Sequence, residues 1–352
     1  GFFMLIGSIK EQDTAETRVS LTPAIVKKLV DNGHSVILEK NYGLKAGFSD
    51  ETYLTAGTKL TDNADTIYTS SQIILQILPP AQEKLELLTN GQTIAADFRN
   101  CTFSYIPKDL NIIRLELVPR TSIAQSIDIL SAQNTVRGYM GALYALYHSP
   151  RIAPQMMTAA ASIKAAATLI IGTSVTGLQA ASVFKRQGCR VTIVDINEKS
   201  KELAQSVGAD FAMAPNKEDL NQLIADKNFI LSAAATPNGN SPQVITADQL
   251  DVTANGAVIV DTTTQNIGLE SNIENTPHYH FYRNLYLERL APDTASVLWA
   301  NNMYNLISLI VKENNQIDLS LNYISPMVYT PRPSYFPRPP APFYEHPDIT
   351  RQ

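Results

Sequence analysis

Cysteine, long apolar runs and targeting signals are scarce or missing in this sequence. The 352 residues include 2 cysteines, Cys101 and Cys189, which lie far apart and form no CxxC pair. This excludes a disulfide framework and argues against a zinc site, because both need cysteines at characteristic spacings. No run reaches the roughly 18 apolar residues of a membrane-spanning helix, and the first residues lack a basic segment followed by a cleavage site. We therefore expect a soluble, cytoplasmic protein with no direct membrane span.

Charge is low and nearly balanced. There are 28 lysines and arginines against 33 aspartates and glutamates, which gives a formal net charge of −5. The sequence therefore offers no electrostatic basis for binding nucleic acid. The 5 histidines also lack the spacing of metal ligands, so we expect no metal site. The length exceeds that of one typical domain and suggests two.

Short apolar runs alternate with helical patterns along most of the chain. In the first series the apolar runs predict strands at 35–40, 73–78, 93–97 and 111–117. In the second series they predict strands at 168–172, 190–196, 210–214, 229–234 and 257–262. Alternation with helices implies parallel sheets and right-handed crossovers. We predict an α/β protein with two Rossmann-like doubly wound parallel-sheet domains, the first discontinuous, joined by long helices.

Two long amphipathic segments, 133–148 and 296–312, fit neither series and are predicted to be the joining helices. The predicted domains are an N-terminal Rossmann-like domain of residues 4–132 plus 300–325, a nucleotide-binding Rossmann domain of residues 133–299, and a tail of residues 326–352. The tail holds eight prolines and five aromatic residues, which favours an extended polyproline conformation. It is either a recognition arm for a partner subunit or a segment packed on its own chain or on a dimer mate.

The stretch TLIIGTSVTGLQ, residues 168–179, is almost the dinucleotide-binding pattern G-x-G-x-x-G. Gly172 supplies the tight turn and Gly177 the close packing of helix on strand, but Ser174 replaces the glycine that lets the backbone approach the pyrophosphate. Its hydroxyl could instead donate to a phosphate oxygen. Asp195 ends the next strand, 18 residues after Gly177, near the spacing of the acid that holds the adenosine ribose. An acid there favours NAD over NADP; the alternative is a Rossmann-like domain that has lost its ligand.

Small-residue loops follow the later strands, where ligands bind in such sheets. They cover residues 232–239, 261–268 and 284–292, and the side chain of Gln265 could donate to a carboxamide. The same residues also suit ordinary turns. The predicted cofactor-binding residues are Gly172, Ser174, Val175, Thr176, Gly177, Asp195, Ile196, Asn197, Ala234, Gln265 and Leu285.

A second polar segment, PRTSIAQSIDILSAQ at 119–133, joins the first domain to the first long helix and is expected to face the cleft between the domains. Some of its residues would serve as helix caps, but Arg120, Gln125, Asp128 and Ser131 together exceed what capping requires. The segment resembles the Arg-Gln-Asp loop of the NAD(H)-binding alpha subunit, or domain I, of proton-translocating nicotinamide nucleotide transhydrogenase, in a family that includes the alanine dehydrogenases. Further landmarks of the resemblance, which covers roughly residues 4–315, are ETRVSLTP at 16–23, RGYMGALYA at 137–145 and RLAPDTASVLWANNM at 289–303.

The resemblance implies direct hydride transfer from NAD(H) in the second domain to NADP(H) on a partner subunit, coupled to proton movement through a membrane subunit. It also implies a homodimer. Arg120 and Asp128 would orient the nicotinamide carboxamide with help from Ser131, and Gln125 would reach towards the NADP ribose. Val175 and Asp195 would contact NAD itself. Hydride transfer between two nicotinamides needs only rings held in near-attack geometry, which polar positioning residues can supply.

Several residues depart from the family pattern. Besides Ser174, Asn197 stands where an arginine commonly follows the ribose acid. Alanine dehydrogenases carry a lysine where this chain has Gln76, and a catalytic histidine that segment 93–100 lacks, although Arg18 is retained. Three alternatives remain at this point. They are the transhydrogenase alpha component, a non-catalytic or weakly NAD-binding paralogue that acts as an assembly subunit, and an alanine dehydrogenase-like amino-acid oxidoreductase.

Overall fold

The computed structural model describes residues 4–99, 101, 109–214, 216–236, 241–283 and 285–329. The chain divides into two compact units. The first unit is discontinuous and comprises Gly1–Ala132 and Pro292–Gln352, and the second comprises Gln133–Ala291. The chain returns to the first unit at Pro292, whereas the sequence places this return at residue 300. The helix that begins at Pro292 is anchored to the first unit along its length, because the Ser296 hydroxyl accepts from the Val19 N–H and Trp299 and Met303 lie in that unit's core.

The described residues form short strands and mostly short helices. The α-helices are α1 Pro23–Asp31, α2 Asp50–Thr55, α3 Ala64–Ser70, α4 Gln82–Leu85, α5 Ile129–Tyr147, α6 Val175–Arg186, α7 Ser200–Ser206, α8 Lys217–Ile224 and α9 Pro292–Ile310. The strands are β1 Leu5–Ser8, β2 Ser35–Glu39, β3 Lys59–Thr61, β4 Ile73–Leu75, β5 Thr93–Ala96, β6 Asn111–Arg114, β7 Met156–Met157, β8 Ser162–Ile163, β9 Ala167–Ile171, β10 Arg190–Asp195, β11 Asp210–Met213, β12 Phe229–Ser232, β13 Ile245–Thr246, β14 Ala257–Asp261, β15 Ile267–Gly268, β16 Ile273–Asn275, β17 Tyr279–Arg283 and β18 Val328–Tyr329.

The sheet of the first unit has the order β18-β6-β5-β4-β1-β2-β3, and β18 alone of its described strands runs antiparallel to its neighbour. Its central strands β4 and β5 are buried on both faces, as their apolar runs at 73–75 and 93–96 require. Helix α1 covers one face with Ile25, Val26 and Leu29. The order reverses between β1 and β4, because β1 pairs with β2 on one side and with β4 on the other.

The sheet of the second unit has the order β11-β10-β9-β12-β14-β17-β16, with only β16 antiparallel among the described strands. Its order reverses between β9 and β12, the place where doubly wound sheets bind ligands at their carboxyl edge. The predicted fold class is therefore confirmed: the chain is α/β with two largely parallel sheets, one in each unit.

Two features lie outside the predicted pattern. The first residues of the predicted tail, 326–329, lie at the end of a short 3₁₀ turn, Ser325–Met327, and in strand β18, which pairs with β6. The rest of that tail, 330–352, lies outside the described residues. In the second unit, β7 and β8 form a hairpin whose Met157 is 77% exposed. In the described part of the chain, every helix is too short or too polar to cross a bilayer.

Candidate nucleotide site

The turn after β9 has the backbone geometry that a nucleotide cradle requires. Gly172 has φ +93°, and a Cβ there would lie 2.9 Å from Ala234 Cα. A Cβ on Gly177 would lie 2.2 Å from the carbonyl oxygen of Gly172. Any larger residue would therefore push the turn away from the strand or from the loop after β12. Helix α6 begins directly after this turn, at Val175, and directs its N-terminus at the carboxyl edge of the sheet.

Ser174, which replaces the middle glycine of the pattern, makes two hydrogen bonds within the protein through its hydroxyl. It is the N-cap of α6, and its Oγ accepts a hydrogen bond from the Gly177 N–H at 3.3 Å. The same hydroxyl donates to the carbonyl oxygen of Ala233 at 2.8 Å. A hydroxyl has one proton to donate, so this bond occupies the donor that a phosphate oxygen would need. The side chain thus ties the turn to the loop after β12 and caps the helix.

Asp195 ends β10 beside the same turn. One carboxylate oxygen accepts from the backbone N–H of Thr173 at 3.0 Å and from its hydroxyl at 2.6 Å, and the other accepts from the N–H of Asn197 at 3.1 Å. Burial opposes ionisation of this carboxyl, but these bonds and the Ser200 hydroxyl outweigh it and hold the pKa of Asp195 below its ordinary value. Asp195 is therefore a carboxylate at neutral pH, as an acceptor for ribose hydroxyls must be.

One buried asparagine, Asn266, joins the loops that follow β12 and β14. Its Oδ1 accepts from the Ser232 hydroxyl at 2.7 Å and from the Ala234 N–H at 2.8 Å, while its amide donates to the carbonyl oxygens of Ala234 and Pro242. The neighbouring Gln265 is exposed and donates to the carbonyl oxygen of Ser241 at 2.6 Å. These bonds hold Ala234 against Gly172 and fix one wall of the candidate site.

The other predicted cofactor-binding residues differ in exposure. Val175 is 41% exposed and Ile196 is 80% exposed, so both present apolar surface at the carboxyl edge. Asn197 is exposed as well. Thr176 is buried, and its hydroxyl donates to the carbonyl oxygen of Asn134 at 3.3 Å. The Leu285 side chain lies in the hydrophobic core of the second unit.

The polar loop of the first unit is firmly anchored. Its buried Ala124 and Ile127 lie in the core, and Asn302 and Asn305 of α9 both donate to the carbonyl oxygen of Ser126, at 2.9 and 2.8 Å. The carboxylate of Asp128 caps α5, accepting from the Ser131 N–H at 3.0 Å and the Ser131 hydroxyl at 2.6 Å. Arg120 and Gln125 are exposed. The loop is thus a rigid platform with two polar side chains that face solvent.

The structure therefore brings Gly172, Ser174, Gly177, Asp195 and Ala234 together around one turn, with Val175, Thr176, Ile196 and Asn197 adjacent in the chain. The predicted loop residues Arg120, Gln125, Asp128 and Ser131 belong to the first unit. Sequence reasoning missed Thr173 and Asn266. The first lies inside the fingerprint, where its hydroxyl next to a strand-end acid is a usable signal. The second has no signal in the sequence.

Models of two domain families match nearly the whole chain. The alanine dehydrogenase/PNT N-terminal domain matches residues 7–137, and the alanine dehydrogenase/PNT C-terminal domain matches residues 141–332. The chain belongs to the alanine dehydrogenase/PNT family. The resemblance predicted from the sequence is confirmed.

The similar curated proteins include transhydrogenase subunits. The chain is 30% identical over 366 residues to a protein of Rickettsia prowazekii named as the first part of NAD(P) transhydrogenase subunit alpha, covering 93% of this chain and 94% of that protein. It is 27% identical to the protein of the same name in Rhodospirillum rubrum, covering 73% of this chain and 76% of that protein.

Among solved structures, a transhydrogenase from Sinorhizobium meliloti matches with a TM-score of 0.83 and 26% identity, covering 93% of this chain and 98% of that one. An L-alanine dehydrogenase matches with a TM-score of 0.75 and 20% identity, covering 92% and 94%, and shows a shared fold.

Proposed function

We propose that this chain is the NAD(H)-binding component of a nicotinamide nucleotide transhydrogenase. Hydride would pass between NAD(H) on this chain and NADP(H) on a partner subunit, and a membrane subunit would couple that transfer to proton translocation. The observation that carries the proposal is the glycine turn at 172–177 with the ionised Asp195 beside it. The names of the similar proteins, which are transhydrogenase alpha subunits, support it.

The residues at the turn fit a dinucleotide. Gly172 and Gly177 leave the space that a Cβ would fill, and the first turn of α6 offers backbone N–H groups to a pyrophosphate. Asp195 would accept from the adenosine ribose, and its charge would repel a 2′-phosphate, so we propose NAD(H) rather than NADP(H) for this chain. When bound, the cofactor supplies the carbon that gives or takes the hydride.

In this proposal the polar loop of the first unit positions the nicotinamide. Arg120, Asp128 and Ser131 would orient its carboxamide, and Gln125 would reach towards the NADP ribose. None of these residues has to move a proton, since hydride transfer between two nicotinamides requires orientation alone. The rigid anchoring of the loop on α9 suits that task.

Amino-acid oxidation is less well supported by the first unit. The side chain of Gln76, which stands in place of a lysine, is only 1% exposed, and the guanidinium of Arg18 is paired with Glu16 at 2.8 Å and lies 5.6 Å from the centre of the Trp299 ring. The edge therefore offers a neutral amide and a neutralised arginine where a keto acid would need cations.

The test is a fluorescence titration of NADH with the purified chain, followed by hydride exchange with an NADP-binding transhydrogenase subunit. We expect saturable NADH binding below the millimolar range and exchange only when the partner is present. Failure of NADH to bind would contradict the proposal and favour a role as a non-catalytic assembly subunit. Turnover of alanine or pyruvate by the isolated chain would replace the proposal with an amino-acid dehydrogenase.

Asp128→Asn tests the loop. Asparagine caps helices about as well as aspartate, so the fold should be retained. We expect hydride exchange to fall by about tenfold or more, because a misplaced carboxamide loses near-attack geometry, with little change in melting temperature. An unchanged exchange rate would leave Asp128 with capping as its only role.

We also propose that the chain is cytoplasmic, associates with the membrane through its partner subunits, and forms a homodimer. Isolated two-stranded hairpins are marginal in water, and the exposed methionine-bearing hairpin β7–β8 suits contact with a second copy. Sedimentation of the purified chain would show a monomer if this is incorrect.

A further inference from the structure

A strained turn follows β17 in the second unit. Tyr286 adopts the left-handed conformation, with φ 45° and ψ 51°. Bulky side chains rarely adopt this conformation, and strain of this kind persists only where the surrounding contacts impose it. The turn leads into a 3₁₀ helix, Leu287–Leu290, and lies at the carboxyl edge of the sheet.

Contacts from several directions hold this turn in place. The Arg289 guanidinium lies 4.2 Å from the centre of the Tyr286 ring, and the Arg289 N–H donates to the Tyr286 carbonyl oxygen at 2.9 Å. The side chains of Leu285 and Leu287 are buried in the core. Glu288, whose side chain is 7% exposed, accepts two hydrogen bonds from Arg137 of α5, from Nε at 3.2 Å and from Nη2 at 2.9 Å.

The same part of α5 also contacts the nucleotide turn. Arg137 donates through Nη1 to Asn134 Oδ1 at 3.1 Å, and the Asn134 carbonyl oxygen accepts from the Thr176 hydroxyl at 3.3 Å. A Cβ on Gly138 would lie 2.3 Å from the Thr176 carbonyl oxygen, so helix and turn are in close contact. One turn of α5 therefore holds both the glycine cradle and the strained turn.

The strained turn lies on the opposite side of the switch point from Asp195. Strand β10, which ends at Asp195, neighbours β9 on one side, whereas β17 follows β12 and β14 on the other. A Cβ on Gly141 would lie 3.3 Å from Leu287 and 3.6 Å from Thr262, so the turn and the loop after β14 pack on the same point of α5. If Asp195 holds the adenosine, the strained turn belongs to the other half of the dinucleotide.

We propose that the ion pair between Arg137 and Glu288 positions the Tyr286 turn for the nicotinamide half of NAD(H). Arg137 and Glu288 are positioning residues in this view, because they act through the turn. The pair keeps the turn in its strained conformation before the cofactor arrives, so that ordering it costs nothing on binding. This inference rests on the proposed function, and neither Arg137 nor Glu288 is among the predicted cofactor-binding residues.

Arg137→Gln, Glu288→Gln and the conservative Arg137→Lys test it by calorimetric titration of the whole chain with NADH and with AMP. AMP carries the adenosine half alone. We expect the two glutamine variants to bind NADH about tenfold more weakly and AMP as the parent does, with Arg137→Lys intermediate. Lys217→Gln is the matched control, since it breaks an exposed ion pair with Asp248 in the same unit and should change neither affinity.

The outcomes separate the two proposals. Equal weakening of NADH and AMP, or unchanged binding of both by variants that fold, would overturn the positioning role while the parent still binds NADH. A parent that binds neither ligand would overturn the proposed function, and this inference with it. If the single variants fail to fold, the double variant Arg137→Gln with Glu288→Gln leaves no buried charge unpaired and carries the same NADH-against-AMP comparison.

Discussion

Both sheets reverse their strand order, but the carboxyl edges at the two reversal points carry different kinds of residue. Each sheet reverses its order beside its first strand, at β1 and β4 in the first unit and at β9 and β12 in the second. At the second edge the chain places glycines at two positions where a Cβ would collide with backbone. At the first edge it places large polar side chains that bond to the backbone around them.

The first edge is closed by its own residues. The Ser8 hydroxyl donates to the Leu75 carbonyl oxygen at 2.5 Å, and the Glu11 carboxyl accepts from the N–H groups of Ile77, at 2.6 Å, and Leu78, at 3.2 Å. The Tyr42 hydroxyl accepts from the N–H groups of Ser20 and Leu21. These backbone groups at the first edge are therefore already satisfied by side chains of the same unit. Topology thus locates a possible site, and local side chains decide whether it is open.

Gly172→Ala should have the largest effect on NADH affinity. Its added Cβ would occupy the space at the second edge, much as the side chains of the first unit occupy the first edge. Gly208→Ala is the matched control: both glycines have positive φ, +93° and +74°, but the nearest atom to a Cβ on Gly208 is Lys185 Cε at 3.6 Å. Left-handed strain should cost each variant about 1–2 kcal/mol of unfolding free energy. Overpacking should cost Gly172→Ala about 1–3 kcal/mol more.

Calorimetric unfolding and NADH titration measure both consequences. Only Gly172→Ala should lose NADH binding, by about a hundredfold or more, since the turn must move away from Ala234. Equal behaviour of the two variants would show that backbone strain, and not the space at the turn, decides whether this edge is open.

Features that follow from burial or from backbone geometry could be predicted from the sequence. The alternation of apolar runs predicted both sheets, because burial on two faces leaves a direct trace in the sequence. The glycines at 172 and 177 were visible because backbone geometry dictates residue type. Strand β3, with the sequence KLT, was missed, because it has no apolar run. The hydroxyl of Ser174 caps α6 through a local bond to Gly177, but its second bond, to Ala233 59 residues away, leaves no signal in the sequence.

Interactions between residues far apart in the chain leave no recognisable pattern in the sequence. The ion pair between Arg137 and Glu288 joins residues 151 positions apart, and Asn266 reaches its partners through buried bonds that only the folded sheet creates. The strain at Tyr286 is imposed from outside the turn, so no local propensity indicates it. These features depend on tertiary packing, and the sequence alone cannot rank them above other polar residues.

The Ser174 hydroxyl bonds to a backbone carbonyl oxygen, as the Ser8 hydroxyl does at the first edge. Its substitution should therefore change stability but have little effect on NADH affinity. Ser174→Ala removes the cap of α6 and the donor to Ala233, at a cost of about 1 kcal/mol. That lowers the melting temperature of a unit of this size by roughly 2–4 °C. Because the hydroxyl serves the protein and not the phosphate, we expect NADH affinity to stay within about threefold.

Ser174→Gly is the companion variant, measured by the same titration and melting curves. Glycine costs only a few tenths of a kcal/mol as a cap, and removing the Cβ lets a pyrophosphate come closer, so NADH affinity should equal or exceed that of the parent. A loss of affinity in Ser174→Ala without any loss of stability would mean that the hydroxyl contacts the cofactor after all.

Glu11→Gln tests how the first edge is closed, and its effect on stability should depend on pH. Burial of the carboxyl, and next the nearby Glu16, raise the pKa of Glu11 from 4.5 to about 8, against the opposing effect of the two N–H groups and Arg18. The folded state therefore holds the proton more tightly than the unfolded state. The resulting stability is fully present below pH 4.5 and is lost as the pH rises towards 8.

The melting temperature of the parent should accordingly fall between about pH 5 and pH 8 relative to Glu11→Gln, which carries no titrating proton, and the difference should level off above about pH 8. Asp62→Asn, which removes an exposed carboxylate paired with Lys40, should show no such trend and serves as the control. A difference that stays constant with pH would mean that Glu11 is ionised throughout this range. The first edge would then carry a fixed negative charge, which would repel anionic groups in addition to the effect of the satisfied backbone groups.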